Sequence, residues 1–127
     1  MWFKIESNHN GMVLDIAGGS QHGAQIIVYP YHGGDNQLWT WENNSLVSKT
    51  GYAMSVEGDG TAAGDFVISW THHGKKNQQW CHGGDKITST LNGMALNIQK
   101  GSKELGARVM LWPAHGGSNQ SWKIVSV

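Results

Sequence analysis

The tetrapeptide Asn-Gln-Xaa-Trp occurs three times in this chain, as Asn36-Gln37-Leu38-Trp39, Asn77-Gln78-Gln79-Trp80 and Asn119-Gln120-Ser121-Trp122. The steps from Gln37 to Gln78 and from Gln78 to Gln120 are 41 and 42 residues, so a chain of 127 divides into three copies with almost nothing left over. Self-similarity at such a period marks a fold assembled from equivalent units, none of which buries its own apolar face alone. The expected copies are about 1–43, 44–84 and 85–127, within one domain spanning 1–127, since this length leaves no room for a second.

Aligned on Gln, each copy carries a glycine fourteen residues earlier: Gly23, Gly64 and Gly106. Upstream lie Gly11-Met12-Val13-Leu14-Asp15-Ile16, Gly51-Tyr52-Ala53-Met54-Ser55-Val56 and Gly93-Met94-Ala95-Leu96-Asn97-Ile98. Each copy reads as four short strands, apolar, β-branched and aromatic, broken by Gly, Asn, Asp and Ser. The expected strands are 2–6, 12–16, 25–31 and 37–42, then 45–49, 53–57, 65–71 and 78–82, then 86–90, 95–99, 107–112 and 120–125. Nowhere do apolar positions hold a helical period for three turns. Twelve short strands in an open sheet would leave two edges free to pair with other chains, so an all-β, closed, pseudo-threefold barrel is expected. Its inward positions fall to Leu14, Ile26, Val28 and Trp39, with equivalents Met54, Phe66 or Val67, Trp80, Leu96, Val109, Leu111 and Trp122.

Nine Lys and Arg balance nine Asp and Glu, which leaves no electrostatic footprint for nucleic acid or an acidic membrane. Seven Trp are many for this size; some belong to the core and the rest point to stacking at a contact surface. Cys81 is the single cysteine, so no internal disulfide forms, and it reads as a half-buried, unreactive thiol. The start, Met1-Trp2-Phe3-Lys4-Ile5-Glu6, lacks a basic stretch leading a long apolar run, and no window approaches membrane-spanning length. A soluble chain without signal peptide or transmembrane segment is expected, cytoplasmic or exported by a non-classical route.

Three Gln-Xaa-Trp motifs at this spacing, each preceded by a Leu-Asp-Ile-like segment and an aromatic-Pro-Xaa-His-Gly-Gly-like turn, resemble the ricin-B or R-type β-trefoil lectins. The compact single-domain, galactose-binding invertebrate members are the nearest in kind, and the resemblance runs from Phe3 to Val125. It implies a β-trefoil of twelve short strands. In that family the Trp of the motif fills the core and the Gln braces the site loop. Sugar contact falls to an acidic residue on the second strand, an aromatic on the third, and the Asn before Gln. Carried over by position, copy one offers Asp15, Tyr29 and Asn36 with Gln37 behind them. Copy two offers Ser55, Trp70 and Asn77 with Gln78, and copy three offers Asn97, Trp112 and Asn119 with Gln120.

The chemistry of a pyranose suits such a set. Its apolar C–H face stacks on an aromatic ring, and its rim of hydroxyls both donates and accepts. A carboxylate accepting two adjacent hydroxyls makes charge-assisted bonds. Galactose-type sugars fit best on this reading, because the axial hydroxyl leaves one C–H patch flat while the vicinal pair faces the acid. Copy one keeps the whole set. Copy three replaces the acid by Asn97, and copy two has the shorter Ser55, with Glu57 two residues on along the strand. Histidine recurs beside each site, as His32, His73 and His115. These side chains either hydrogen-bond a turn whose glycines take positive φ or meet sugar hydroxyls at the rim. Neighbours on a strand such as His72 and His73 face opposite ways, so no metal site is expected, and no cofactor.

The function expected is that of a lectin for galactose- or N-acetylgalactosamine-type glycans, on glycoproteins or glycolipids, with up to three shallow sites acting together. A homodimer through Trp2 and Trp41 would extend that multivalency. No enzyme is expected: Ser55 has no placed base, Cys81 and His82 project oppositely, and no carboxylate pair recurs. The alternative is a sugar-independent trefoil that binds protein or targets a toxin.

Overall fold

The computed structural model describes residues 1–19, 21–58 and 62–127. Among the described residues twelve strands follow one another: β1 (Phe3–Ser7), β2 (Val13–Ile16), β3 (Ile26–Tyr29), β4 (Trp39–Glu42), β5 (Ser45–Ser48), β6 (Tyr52–Val56), β7 (Val67–Thr71), β8 (Trp80–Gly83), β9 (Lys86–Ser89), β10 (Ala95–Ile98), β11 (Val109–Trp112) and β12 (Trp122–Ser126). Strands β1, β4, β5, β8, β9 and β12 make the barrel wall. β1 pairs with β12 and β4, β4 with β5, and β8 with β9, all antiparallel. The hairpins β2–β3, β6–β7 and β10–β11 cap one end.

The cap closes as a ring of backbone bonds between copies. Gly23 N–H donates to Ser69 O, Gly64 N–H to Leu111 O and Gly106 N–H to Val28 O, at 2.7, 2.7 and 2.8 Å. These are the three glycines aligned in the sequence, and φ values of +75°, +90° and +82° explain why each must be glycine. The whole is a β-trefoil.

The core gathers at the pseudo-threefold axis. Trp39, Trp80 and Trp122 are buried, and each indole N–H donates to the equivalent carbonyl, Leu14 O, Met54 O and Leu96 O, at 3.2, 3.0 and 3.0 Å. The motif tryptophan thus fills the barrel while its one polar atom is satisfied. Every expected inward position is buried; of the pair left open, Val67 takes the core and Phe66 lies half-buried under the Arg108 guanidinium.

Two expectations are corrected. The fourth strand of each copy does not start on Gln: Asp35–Gln37, Lys76–Gln78 and Ser118–Gln120 form single 3-10 turns, and the strands begin on Trp39, Trp80 and Trp122. The turn swings each Gln inward to bond neighbouring backbone, which a flat strand could not do. Cys81 is exposed rather than half-buried, because it sits on the outer face of β8 next to the inward Trp80. Trp2 and Trp41 are half-buried, Trp41 against Phe3 with ring centroids 6.5 Å apart and Trp2 beneath the Lys49 ammonium.

Candidate functional site

Among the most exposed large apolar side chains are three equivalents at the ends of β3, β7 and β11: Tyr29, Trp70 and Trp112, at 37%, 40% and 41% exposure. β3 stops at Tyr29 because Pro30 has no N–H for the ladder. Each ring forms one wall of a shallow cleft. The opposite wall comes from the first strand of the same hairpin, β2, β6 or β10, where Asp15, Ser55 and Asn97 lie almost fully buried.

In copy one the cleft is lined by Asp15, Gly18, Gly19, Ile27, Tyr29, His32 and Asn36 and holds about 370 Å³. Gln37, itself fully buried, organises it. Its amide nitrogen donates to Asp15 Oδ2 at 2.8 Å and to Pro30 O at 3.0 Å, while its oxygen accepts the His32 and Gly33 N–H groups. Asn36 spends both amide hydrogens, one on Asp15 Oδ1 and one on Ile16 O, each at 3.1 Å. Its oxygen is left as an acceptor, so the donor half of its expected role is taken up inside the protein. A carboxylate has about four acceptor positions, so Asp15 keeps two for outside partners. Burial holds its carboxyl above the usual carboxylate value, against the opposing pull of the Gln37 bond, the His32 charge and the Asn36 bond.

Of the two roles considered for the histidines, His32 takes the first, bonding the turn. Its Nδ1 accepts the Gly34 N–H at 3.1 Å, which leaves the proton of the neutral ring on Nε2. That atom lies 3.8 Å from Asp15 Oδ2 and faces the cleft. The turn bond therefore fixes the tautomer that presents a donor beside the carboxylate.

Copy three repeats the frame with reversed polarity. Asn97 Oδ1 accepts from Asn119 Nδ2 and Gln120 Nε2 at 3.1 and 3.0 Å, and Asn97 Nδ2 donates to Ile98 O at 3.0 Å. One N–H remains, so this position offers a donor where Asp15 offers acceptors. Its cleft, about 310 Å³, is lined by Asn97, Lys100, Gly101, Met110, Trp112, His115 and Asn119, and His115 Nδ1 accepts the Gly117 N–H at 2.9 Å.

Copy two departs further. Its cleft of about 380 Å³ is lined by Ser55, Val56, Glu57, Gly58, Ile68, Trp70 and Asn77, which brings in the Glu57 singled out from the sequence and leaves out His73. Ser55 Oγ accepts from Asn77 Nδ2 at 3.3 Å, and Gln78 reaches Thr71 O and the His73 N–H. His73 is held below the ordinary histidine value by burial first, then by Lys75 and His72. The copies differ at one glycine. A Cβ at Gly34 or Gly117 would lie 2.6 Å from the neighbouring histidine Cε1, and copy two has Lys75 there.

Sequence reasoning missed the cleft floor, Ile27, Ile68 and Met110, and the contribution of neighbouring copies. His22, from the β2–β3 loop, lies against Trp70 with centroids 3.9 Å apart. Ser69 ties that loop down, accepting the Ala24 N–H and donating to Gln21 O. A serine where the other copies have Val28 and Leu111 was the available signal.

Comparison with known proteins places these observations. Residues 1–122 match the family model for the ricin-type beta-trefoil lectin domain. No curated protein sequence matches. Among solved structures, the designed threefold-symmetric protein ThreeFoil is similar at 33% identity over 99% of each chain, with a TM-score of 0.90. The C-half of an earthworm R-type lectin, solved with GalNAc, is similar at 29% identity over 99% of this chain and 98% of that one, TM-score 0.87. A ricin B-like lectin from Macrolepiota procera, solved with lactose, is similar at 28% identity over 98% and 94%, TM-score 0.85.

Proposed function

The chain belongs to the ricin-type β-trefoil lectin family, and from that premise we propose that this carbohydrate-binding domain, one unit of three copies over 1–127, recognises galactose-type sugars through up to three clefts. The observation that carries the reading is the pairing, in copy one, of an exposed Tyr29 ring with a buried, braced Asp15 across one shallow cleft. The sugar's C–H face stacks on Tyr29. Two vicinal hydroxyls donate to Asp15, a third donates to Asn36 Oδ1, and His32 Nε2–H donates to a sugar oxygen. Asp15, Asn36 and His32 are each already oriented by a bond inside the protein, so little order is lost on binding. Copy three takes the same sugar through Trp112, Asn119, His115 and the free N–H of Asn97. Copy two relies on Trp70, Asn77 and Glu57. Gln37, Gln78 and Gln120 act from behind, through the groups they hold.

The galactose preference is supported by two relatives, the earthworm lectin half solved with GalNAc and the fungal lectin solved with lactose. Linked weak sites on one chain raise avidity for a glycan-bearing surface by about 10² or more. The activity proposed is binding without turnover. Titration with galactose, followed by amide NMR, gives perturbations at Tyr29 and Trp112, and Asp15→Ala removes the first set alone. A folded protein that binds neither galactose nor any galactose-terminated glycan on an array overturns the proposal. Binding of a protein partner untouched by Asp15→Ala would favour the sugar-independent alternative.

A further inference from the structure

We propose that copy one holds a second sugar subsite, in the cleft lined by Gly19, Asp35, Asn36, Lys49 and Thr50, so that it reads a neutral disaccharide where copy three reads a single sugar. This rests on the lectin reading above. The cleft holds about 460 Å³ and shares Gly19 and Asn36 with the first one, so the two are contiguous. A sugar stacked on Tyr29 with its hydroxyls at Asn36 sends its linked neighbour either to solvent or across Asn36 into this space.

Its lining comes from two copies. Asp35 belongs to the 3-10 turn of copy one, and Lys49 and Thr50 to the β5–β6 loop of copy two. A carboxylate that accepts, an ammonium that donates and a hydroxyl that does either are a set for a ring of hydroxyls. One positive and one negative group face the same cleft, and the Lys49 ammonium is shared with the Trp2 ring 5.7 Å away, so Asp35 is the less compensated charge and opposes the added anion of a sialylated or sulfated sugar.

Copy three supplies the contrast. His9 and Thr50 are equivalent: each N–H donates to the Oγ of the serine two residues before it, Ser7 at 3.0 Å and Ser48 at 3.1 Å. His9 reaches across the counterpart space, with Nδ1 2.7 Å from Ser118 Oγ and Nε2 2.7 Å from Gly101 O. Gly101 and Ser118 align with Gly19 and Asp35. The imidazole therefore bridges the two segments between which copy one stays open.

The test uses the full chain with sites two and three silenced by Trp70→Ala and Trp112→Ala, and calorimetry with galactose, lactose, melibiose and 3′-sialyllactose. At least one neutral disaccharide binds about fivefold or more tighter than galactose, the gain that one or two added hydrogen bonds give. Lys49→Ala and Thr50→His each reduce that advantage to less than about twofold while galactose affinity stays within about twofold. In a site-three-only protein, His9→Thr creates a disaccharide advantage that the parent lacks. Galactose binding with no disaccharide advantage, or an advantage that survives both substitutions in proteins of unchanged melting temperature, overturns the subsite and leaves the lectin reading standing. A tighter sialylated ligand overturns the neutral assignment. Loss of galactose itself from the folded site-one-only protein brings down both.

Discussion

Asp15 and Asn97 occupy the same place in two copies and receive the same two amide donors, yet they leave opposite hydrogen-bonding capacity to the cleft. The difference is readable by pH. Burial raises the Asp15 carboxyl above its ordinary value of 3.8, so its acceptor form is lost at a less acidic pH than for a free aspartate. In a site-one-only protein, galactose affinity falls on acidification, at a less acidic pH than a free aspartate would dictate, whereas a site-three-only protein lacks this carboxylate transition. The sign for stability is the reverse of that for a salt-bridged acid. The folded state holds the Asp15 proton more tightly than the unfolded chain, so the contribution of this group is full below the unfolded value and is lost as pH rises through the folded one. Asp15→Asn removes the buried charge and keeps an acceptor for Asn36 and Gln37, as Asn97 does in copy three. Its melting temperature at neutral pH is therefore expected to equal or exceed that of the parent, while its site-one affinity loses the acid transition. A large loss of stability would mean that the carboxylate itself holds the cap together.

At the scale of the element, the turn between β3 and the first 3-10 turn uses adjacent glycines for two physical reasons. Gly33 takes φ +80°, a left-handed conformation that costs a side chain about 1–2 kcal/mol. Gly34 has an ordinary φ of −69°, but an added Cβ would stand 2.6 Å from His32 Cε1 and 2.8 Å from Asn36 Oδ1. Gly33→Ala should thus lower stability by about 1–2 kcal/mol in chemical denaturation. Gly34→Ala should change stability little and weaken galactose at site one about tenfold, as the two polar groups are pushed aside. Equal effects of the two variants on binding would contradict this division. The strands and the glycines of the hairpins were legible because alternation and φ leave marks in a single stretch of chain. The 3-10 turns were not, since Gln-Xaa-Trp looks like the start of a strand until the Gln side chain finds the His32 N–H and Pro30 O. The bridge made by His9 left no mark at all, for its two partners lie 92 and 109 residues away.

For the whole molecule, the phase of the repeat carried the architecture, while the places where symmetry fails had to be seen in three dimensions. Gln25, Phe66 and Arg108 are equivalent by position, two residues after the aligned glycines, but form an unlike set in which Arg108 donates to Gln25 and stacks on Phe66. What closes the fold is cyclic. Each cap loop bonds the next copy, and β1 pairs with β12 along Phe3↔Ser126 to Ser7↔Trp122, just as β4 pairs with β5 and β8 with β9 between successive copies. The chain order of the copies is then a matter of where one loop is cut. The hairpin joining β4 to β5 turns at Asn43 and Asn44, both exposed, with Asn43 in the left-handed region at φ 56°, so cutting there releases a mildly unfavourable conformation. Val127 N–H already donates to Trp2 O at 3.1 Å, so a short Gly/Ser linker spans the ends. A permuted chain that begins at Asn44 and runs through copies two, three and one is expected to unfold in one cooperative transition and to bind galactose with the parent's stoichiometry. Two transitions, or a loss of site one alone, would mean that the copies are not interchangeable around the axis and that the β4–β5 connection itself positions the clefts.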